Sequence, residues 1–311
     1  MIKDTLYSFS SPYREDFSIQ GYRFNKGTKA CCIVGAIRGN EIQQLYVCSK
    51  IIKELTELEK QGKISYDNEI LVVPSVNPFS MNVGKRFWTS DNRDINRDFP
   101  GNPNGDTTQR IAANVMRKIS GYQYGIQFTS FYIEGDFIPH VRMMRTGMES
   151  TSLANLFGLP YIMVRNPHPF DETTLNYSWQ HSQTSAFSVY TNETSGIDEK
   201  SAELAVASVL RFLSRMGIIK YQCHGGYIAT TLDEDNLMSV KTPAGGIYRR
   251  IKQPGDEIVK GELMAEVLNP YDNTVEAEIK APANGIVFFA HKSPLVMENS
   301  VVFKLIKRLR K

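Results

Sequence analysis

The chain has 311 residues, 41% of them apolar, and a formal net charge of +3, enough for one large core and a small satellite domain. Aromatic content of 11% and charged content of 22% argue against disorder, and so small a net charge argues against a nucleic-acid partner. No apolar run is long enough for a signal peptide or a bilayer span, so a soluble, cytoplasmic protein is expected.

The first thirty residues are mixed polar. Cys31-Cys32-Ile33-Val34-Gly35-Ala36-Ile37 reads as a strand that turns at Arg38-Gly39-Asn40-Glu41 into an amphipathic helix. Asn40 is the predicted cap, Ile42, Leu45, Tyr46, Ile51, Leu55 and Leu58 recur at helical spacing, and Gly62 ends the run. A second strand, Ile70–Pro74, leads through Ser75-Val76-Asn77-Pro78 to the loop Asp94-Ile95-Asn96-Arg97-Asp98-Phe99-Pro100-Gly101. A helix is predicted after Asp106, with Ile111, Val115 and Ile119 on one face and Gly121 as its stop. Gly125–Phe131 alternates like a half-buried strand. Pro139–Met144, Tyr161–Val164 and Phe187–Tyr190 follow as strands, with a short helix at Leu153–Phe157 and a last helix from Glu199 to Met216 capped by Asp198.

Strands alternating with helices predict an α/β fold, a mostly parallel or mixed sheet with helices on both faces, over residues 1–225. In such sheets loop residues at the carboxyl ends of the strands bind ligands, which directs attention to Arg38, Glu41, Asn96 and Arg97. From 226 to 311 the pattern changes to short β segments. Val240–Ile247 and Ile279–Ile286 resemble each other, which predicts a small β-sandwich of two pseudo-equivalent halves, similar to the biotinyl/lipoyl fold. The candidate hairpin tip, Asn269–Thr274, holds no lysine to carry biotin or lipoyl, so an accessory domain without either cofactor is expected.

Arg38-Gly39-Asn40-Glu41, Asp94-Ile95-Asn96-Arg97 and Phe99-Pro100-Gly101 resemble the motifs of the succinylglutamate desuccinylase/aspartoacylase branch of the zinc carboxypeptidase family. There a strand ends in His-Gly-Asn-Glu and a later loop carries Asp-Leu-Asn-Arg before Phe-Pro-Gly. The resemblance implies a zinc carboxypeptidase-like fold and a zinc ion on a His and a Glu of the first motif and a His of a later strand. Glu41 matches the glutamate, but Arg38 stands at the first histidine. A gapless match puts Gln127 at the aspartate and Thr129 at the histidine of the later Asp-Leu-His strand; a shift of one residue puts Phe128 there. Two of three ligands are replaced in either register. An Arg38–Glu41 ion pair is the simplest physical substitute for the metal's charge.

The resemblance further implies that Asn96 and Arg97 hold a substrate carboxylate, that Arg86 polarises the scissile carbonyl, and that Glu193, in Tyr190-Thr191-Asn192-Glu193, takes the proton of the attacking water. Arg38 is counted with the substrate-binding residues. The loop from Arg86 to Asn96 is longer than the family's. Arg93, Asp94 and Asp98 are also expected to pair with one another at the surface.

Of the five histidines, His168 and His291 read as ordinary surface residues, while His140 and His181, the latter in a polar loop, are candidates for a rebuilt metal site with Glu41. His224 lies where the pattern changes. The four cysteines have no metal-site spacing and read as reduced core thiols, with adjacent Cys31 and Cys32 on opposite faces. Lys304, Lys307, Arg308, Arg310 and Lys311 read as a solvated end.

Two functions follow. One is a hydrolase of the amide bond of an N-acyl amino acid or small peptide-like substrate, using zinc or Arg38 itself. The other is a non-catalytic carboxylate-binding protein that has lost the zinc site.

Overall fold

The computed structural model describes residues 1–11, 15–131, 134–223 and 225–307. His224 and the terminal Arg308, Arg310 and Lys311 lie outside these residues. The chain divides into two compact units, one of Met1–Ser130 with Pro139–Leu232, the other of Phe131–Ile138 with Asp233–Lys311. The second unit thus starts at Asp233 rather than 226, and it borrows a segment from the middle of the first.

In chain order the elements are β1 (Ile2–Phe9), β2 (Phe17–Phe24), β3 (Thr28–Ala36), α1 (Ile42–Lys60), β4 (Asn68–Ser75), α2 (Pro78–Asn82), α3 (Thr107–Ile119) and β5 (Tyr124–Thr129). Then come β6 (Gly135–Phe137), β7 (His140–Met144), α4 (Thr151–Asn155), β8 (Tyr161–Arg165), α5 (Leu175–His181), β9 (Ser185–Tyr190), α6 (Glu199–Arg215) and β10 (Thr230–Asp233). Among the described residues the first unit carries a mixed sheet in the order β1-β2-β4-β3-β5-β9-β7-β8-β10. The pairs β4–β3, β3–β5, β5–β9 and β7–β8 are parallel, whereas β1–β2, β2–β4 and β7–β9 are antiparallel.

Successive side chains of a strand point to opposite faces, and β3 shows what that does here. Cys31 and Ile33 join a core with Val47, Ile51 and Leu55 of α1 and Val209, Phe212 and Leu213 of α6. Cys32 and Val34 join another with Ile111, Val115 and Ile119 of α3 and Leu175 and Trp179 of α5. Helices therefore cover both faces, as the alternation of elements predicts.

Three local expectations change. The mixed polar start, to which the sequence reading gave no element, forms β1 at the sheet edge and β2 beside it. β5 is buried along its whole length rather than on one face, because a central parallel strand lies under helices on both sides. His181 is the last residue of α5 and not part of a loop. The helix after Asp106 begins with a capping box between Asp106 and Gln109, which satisfies orphan N–H groups of its first turn.

The second unit adds β11 (Met238–Lys241), β12 (Gly246–Arg250), β13 (Glu257–Ile258), β14 (Leu263–Leu268), β15 (Val275–Lys280), β16 (Gly285–His291), β17 (Leu295–Val296) and β18 (Val301–Lys307). One sheet runs β11-β18-β16-β13, with β6 pairing β16; the other runs β15-β14-β12-β17. Tyr248, Met264, Val267 and Ile279 from one sheet share an apolar cluster with Val287, Ala290, Phe303 and Leu305 from the other. The two similar sequence stretches occupy equivalent places: one leads from β11 to β12, the other from β15 to β16, and each crosses between the sheets in the opposite sense. Tyr271, at the β14–β15 tip, is 96% exposed.

Candidate functional site

The parallel strands β3, β5 and β9 end at Ala36, Thr129 and Tyr190, so the loops that follow them gather at one edge of the sheet. After β3 the chain must turn at once into α1. Gly39 makes this possible: its N–H donates to the Arg86 carbonyl at 3.0 Å, and a Cβ there would overlap the Lys85 carbonyl and Ser80.

Glu41, not Asn40, is the N-cap of α1. Its carboxylate turns back toward β3. Oε2 accepts the N–H groups of Ile37 at 2.9 Å and Arg38 at 3.0 Å. Oε1 accepts from Arg38 Nη1 at 3.2 Å, from the Ser130 N–H at 3.2 Å and from Ser130 Oγ at 2.6 Å. A carboxylate at a helix N-terminus also gains from the helix dipole.

Arg38 carries the expected ion pair to Glu41, and a second one that the sequence does not announce. Its Nε and Nη2 donate to Asp94 Oδ2 at 3.0 and 2.8 Å. Asp94 Oδ1 in turn caps the 3-10 turn Ile95–Arg97 through the Asn96 N–H at 3.0 Å. Arg38 is 5% exposed and Glu41 1%. Burial alone would make the guanidinium easier to deprotonate, but the charges of Asp94 and Glu41 outweigh it and raise the Arg38 pKa above its ordinary value. Asp94 is thus a partner of buried Arg38 and not of the surface cluster; Arg93 pairs with Asp98 and Asp106 instead.

The other predicted residues fall around this triad. Buried Asn96 accepts through Oδ1 from Gln127 Nε2 and from the Leu175 N–H, both at 3.3 Å. Arg97, with its side chain 36% exposed, donates through Nη1 to the Phe170 carbonyl and lies 3.4 Å from Asp171 Oδ1; its guanidinium is 5.0 Å from the centre of the Phe170 ring. Asp171 also pairs with Arg165. Burial pushes the Asp171 pKa up, but the bond from Arg165, the His168 N–H and the charges of Arg165 and Arg97 bring it below the usual value. Arg86 is half-buried and its guanidinium lies 5.6 Å from the Phe87 ring centre. Thr129 is buried, in register with Tyr190. Glu193 lies beyond the end of β9, half-buried, with Oε1 accepting the Thr194 N–H at 2.7 Å. Gln44 of α1 donates to the Glu193 carbonyl at 3.3 Å, and the Gln43 N–H to the Thr194 carbonyl at 3.0 Å, so this loop is docked on the first turn of α1.

The described histidines do not converge. His140 stacks on Tyr190 with ring centres 4.9 Å apart. His181 is exposed and bonded to the Tyr177 carbonyl, His168 is exposed beside Phe170, and His291 belongs to the second unit. Among the described residues no three His, Cys, Asp or Glu side chains are grouped as a metal site. The donor chemistry around Glu41 points the same way. Five N–H and O–H donors converge on its two oxygens, one of them a guanidinium, and Thr129, where the gapless resemblance puts the second histidine, has only a hydroxyl to offer. These residues do not fit a zinc ion.

Sequence reasoning missed Ser130 and the bond of Asp94 to Arg38. Asp94 was legible as part of the Asp-Ile-Asn-Arg motif, but its partner was not. Ser130 carries no local signal, because its partner Glu41 is distant in the chain.

The sequence model of the succinylglutamate desuccinylase/aspartoacylase catalytic domain matches residues 27–216. Solved structures share the fold. A succinylglutamate desuccinylase from Silicibacter sp. superimposes with a TM-score of 0.79 at 19% identity, over 97% of this chain and 92% of that one. A succinylglutamate desuccinylase/aspartoacylase from Rhodobacter sphaeroides gives 0.76 at 18% identity, over 94% and 89%. The ectoine utilization protein EutE (DoeB) of Ruegeria pomeroyi gives 0.76 at 19%, over 93% and 89%. A stretch of 80 residues is 29% identical to N-alpha-acetyl-L-2,4-diaminobutyric acid deacetylase of Halomonas elongata, spanning 26% of this chain and 22% of that protein. The chain belongs to the succinylglutamate desuccinylase/aspartoacylase family, whose members include amide-hydrolysing deacylases.

Proposed function

We propose that this chain recognises an N-acyl amino acid or a related small carboxylate at the carboxyl ends of β3, β5 and β9, and that it does so without zinc-assisted hydrolysis. The observation that carries this reading is the saturation of Glu41 by five donors, with the Arg38 guanidinium among them. A buried cation bonded to the one retained ligand repels a metal ion. Without a metal nothing lowers the pKa of water from 15.7 to the roughly neutral value at which zinc works. Arg97 is the carboxylate contact in this reading, since a guanidinium fork matches a carboxylate and its Nη1 already fixes its direction. Asn96 orients the turn that carries it. The second unit acts as a barrel-sandwich accessory without biotin or lipoyl.

A second reading, amide hydrolysis, is supported by the deacetylase relative and by the docking of the Glu193 loop on α1. One experiment separates the two. Elemental analysis of the purified chain, with and without added zinc and beside Glu41→Ala, is run together with thermal shifts and hydrolysis assays on a panel of N-acetyl amino acids. The binding reading expects no stoichiometric zinc, a ligand-induced shift that Arg97→Ala abolishes, and no released amino acid. Stoichiometric zinc that disappears in Glu41→Ala, or release of acetate at a steady rate, overturns it in favour of the hydrolase.

A further inference from the structure

The residue that β9 presents at its end is not Glu193 but Tyr190. Tyr190 is the last residue of the strand, and Cα register places it beside Thr129 on β5 and His140 on β7. Their neighbours Phe128, Val189 and Val141 belong to the core under α1 and α6, so Thr129, Tyr190 and His140 form a row on the opposite face. A second row, Gln127, Ser188 and Arg142, runs beside it on that same face.

Tyr190 is held by His140 and Arg142. The His140 ring lies parallel to its ring, 6° from coplanar. Arg142 Nη1 donates to its Oη at 3.0 Å. A guanidinium only donates, so in this pair the phenol oxygen is the acceptor and its own hydrogen is the donor of the group.

Asn176 supplies an independent observation. It is 2% exposed, and neither its Oδ1 nor its Nδ2 has a partner among the described residues. It lies on α5 one turn before Gln180, whose Nε2 donates to the Met144 carbonyl of β7 at 3.1 Å. Residues four apart share a helix face, so Asn176 faces the part of β7 that carries Arg142. An amide buried without partners is costly, and a polar ligand atom would satisfy it.

We infer that Tyr190, positioned by Arg142 and His140, is a specificity-determining contact whose phenol donates to the acyl carbonyl oxygen of the bound ligand, with Asn176 as a second polar contact. The inference rests on the reading that this edge of the sheet binds an acylated amino acid. A phenol at the strand end holds an amide carbonyl where a carboxylate base would activate water.

The test is a cycle of ligand and residue. Calorimetry measures binding of each N-acetyl amino acid of the panel and of its N-ethyl counterpart, in which a methylene replaces the carbonyl and the nitrogen is a protonated amine, to wild type, Tyr190→Phe, Arg142→Met, Asn176→Ala and Arg97→Ala. The readout is the change, relative to wild type, in the ratio of the two affinities, the preference for the N-acetyl ligand. One hydrogen bond corresponds to a change of roughly 2- to 12-fold in that preference. Tyr190→Phe is expected to lower the preference by that factor and Arg142→Met by less, effects that a purely structural role would not produce. Asn176→Ala is expected to weaken the N-acetyl ligand, and Arg97→Ala to weaken both ligands while the preference stays. A full preference in Tyr190→Phe overturns this inference alone. No effect of Arg97→Ala overturns the carboxylate reading alone, and a wild type that binds no member overturns both.

Discussion

Arg38 Nη1 lies 3.2 Å from Oε1 of Glu41, the residue that the resemblance of the first motif would make a zinc ligand. The same guanidinium holds Asp94 through Nε and Nη2. One buried cation thus ties the turn after β3 to the loop that carries Asn96 and Arg97. The pairing puts a fixed positive charge against Glu41, whose two oxygens accept five hydrogen bonds.

Removing that cation is costly. Arg38→Met leaves buried Glu41 and half-buried Asp94 without a counter-charge, and breaking a buried pair from one side destabilises by about 3–5 kcal/mol. Urea unfolding at pH 7 measures the loss. The double variant Arg38→Met/Glu41→Gln recovers part of it, because one of the stranded charges is gone; a loss as small as that of an exposed pair, about 1 kcal/mol or less, contradicts the assignment.

Restoring the ligands tests the fit of the metal from the other side. Arg38→His with Thr129→His recreates a two-histidine, one-glutamate donor set. Zinc at 100 times its dissociation constant is expected to stabilise this double variant by about 2.7 kcal/mol, reversibly with a chelator, while either single variant shows no shift. Equal zinc stabilisation of wild type rules the prediction out.

The pH dependence centres on Asp171. Its folded pKa is depressed by its arginine partners against the opposing effect of burial, so it contributes stability above the unfolded value near 3.9 and loses that contribution as pH falls through the lower folded value. Asp171→Asn is therefore expected to cost about 1.5–3 kcal/mol at neutral pH, as for a hydrogen bond to a charged group. The gap between variant and wild type closes below about pH 4. Thermal unfolding at pH 7, 5, 4 and 3 reads the gap directly, and a constant difference across the series contradicts the sign.

Thiol reactivity reports the packing of β3. Cys31, Cys32 and Cys48 are fully buried, and burial raises the pKa of each. Cys223 is half-buried. An aromatic disulfide reagent is expected to modify about one thiol per native chain, because a neutral, inaccessible thiol does not attack. All four cysteines of the sequence react in denaturant, and Cys223→Ser abolishes the native reaction. Rapid native modification of Cys31 contradicts the packing.

The elements of the first unit were largely legible because local chemistry specifies them. The apolar run of β3, the 3.6-residue spacing of α1, the Asp106 cap of α3 and the opposite orientation of Cys31 and Cys32 all follow from neighbours in the chain. β1 and β2 were not, because edge strand β1 and its neighbour β2 mix polar and apolar residues without a continuous apolar run. The repeat in the second unit was visible as similar residues, yet its meaning, two crossings between sheets in opposite senses, needed the strand order.

By itself the sequence showed an arginine at 38 and a threonine at 129 where the gapless resemblance expects histidines, and Arg38, three residues from Glu41, made an ion pair between those two an expectation of distance alone. Only the tertiary structure decided the rest. It brought Asp94 and Ser130 to Arg38 and Glu41 across 56 and 89 residues of chain. It ended β9 at Tyr190, so that a phenol rather than a carboxylate faces the row of Thr129. Side chains far apart in sequence meet only through sheet register and helix packing, and a local pattern carries no record of either.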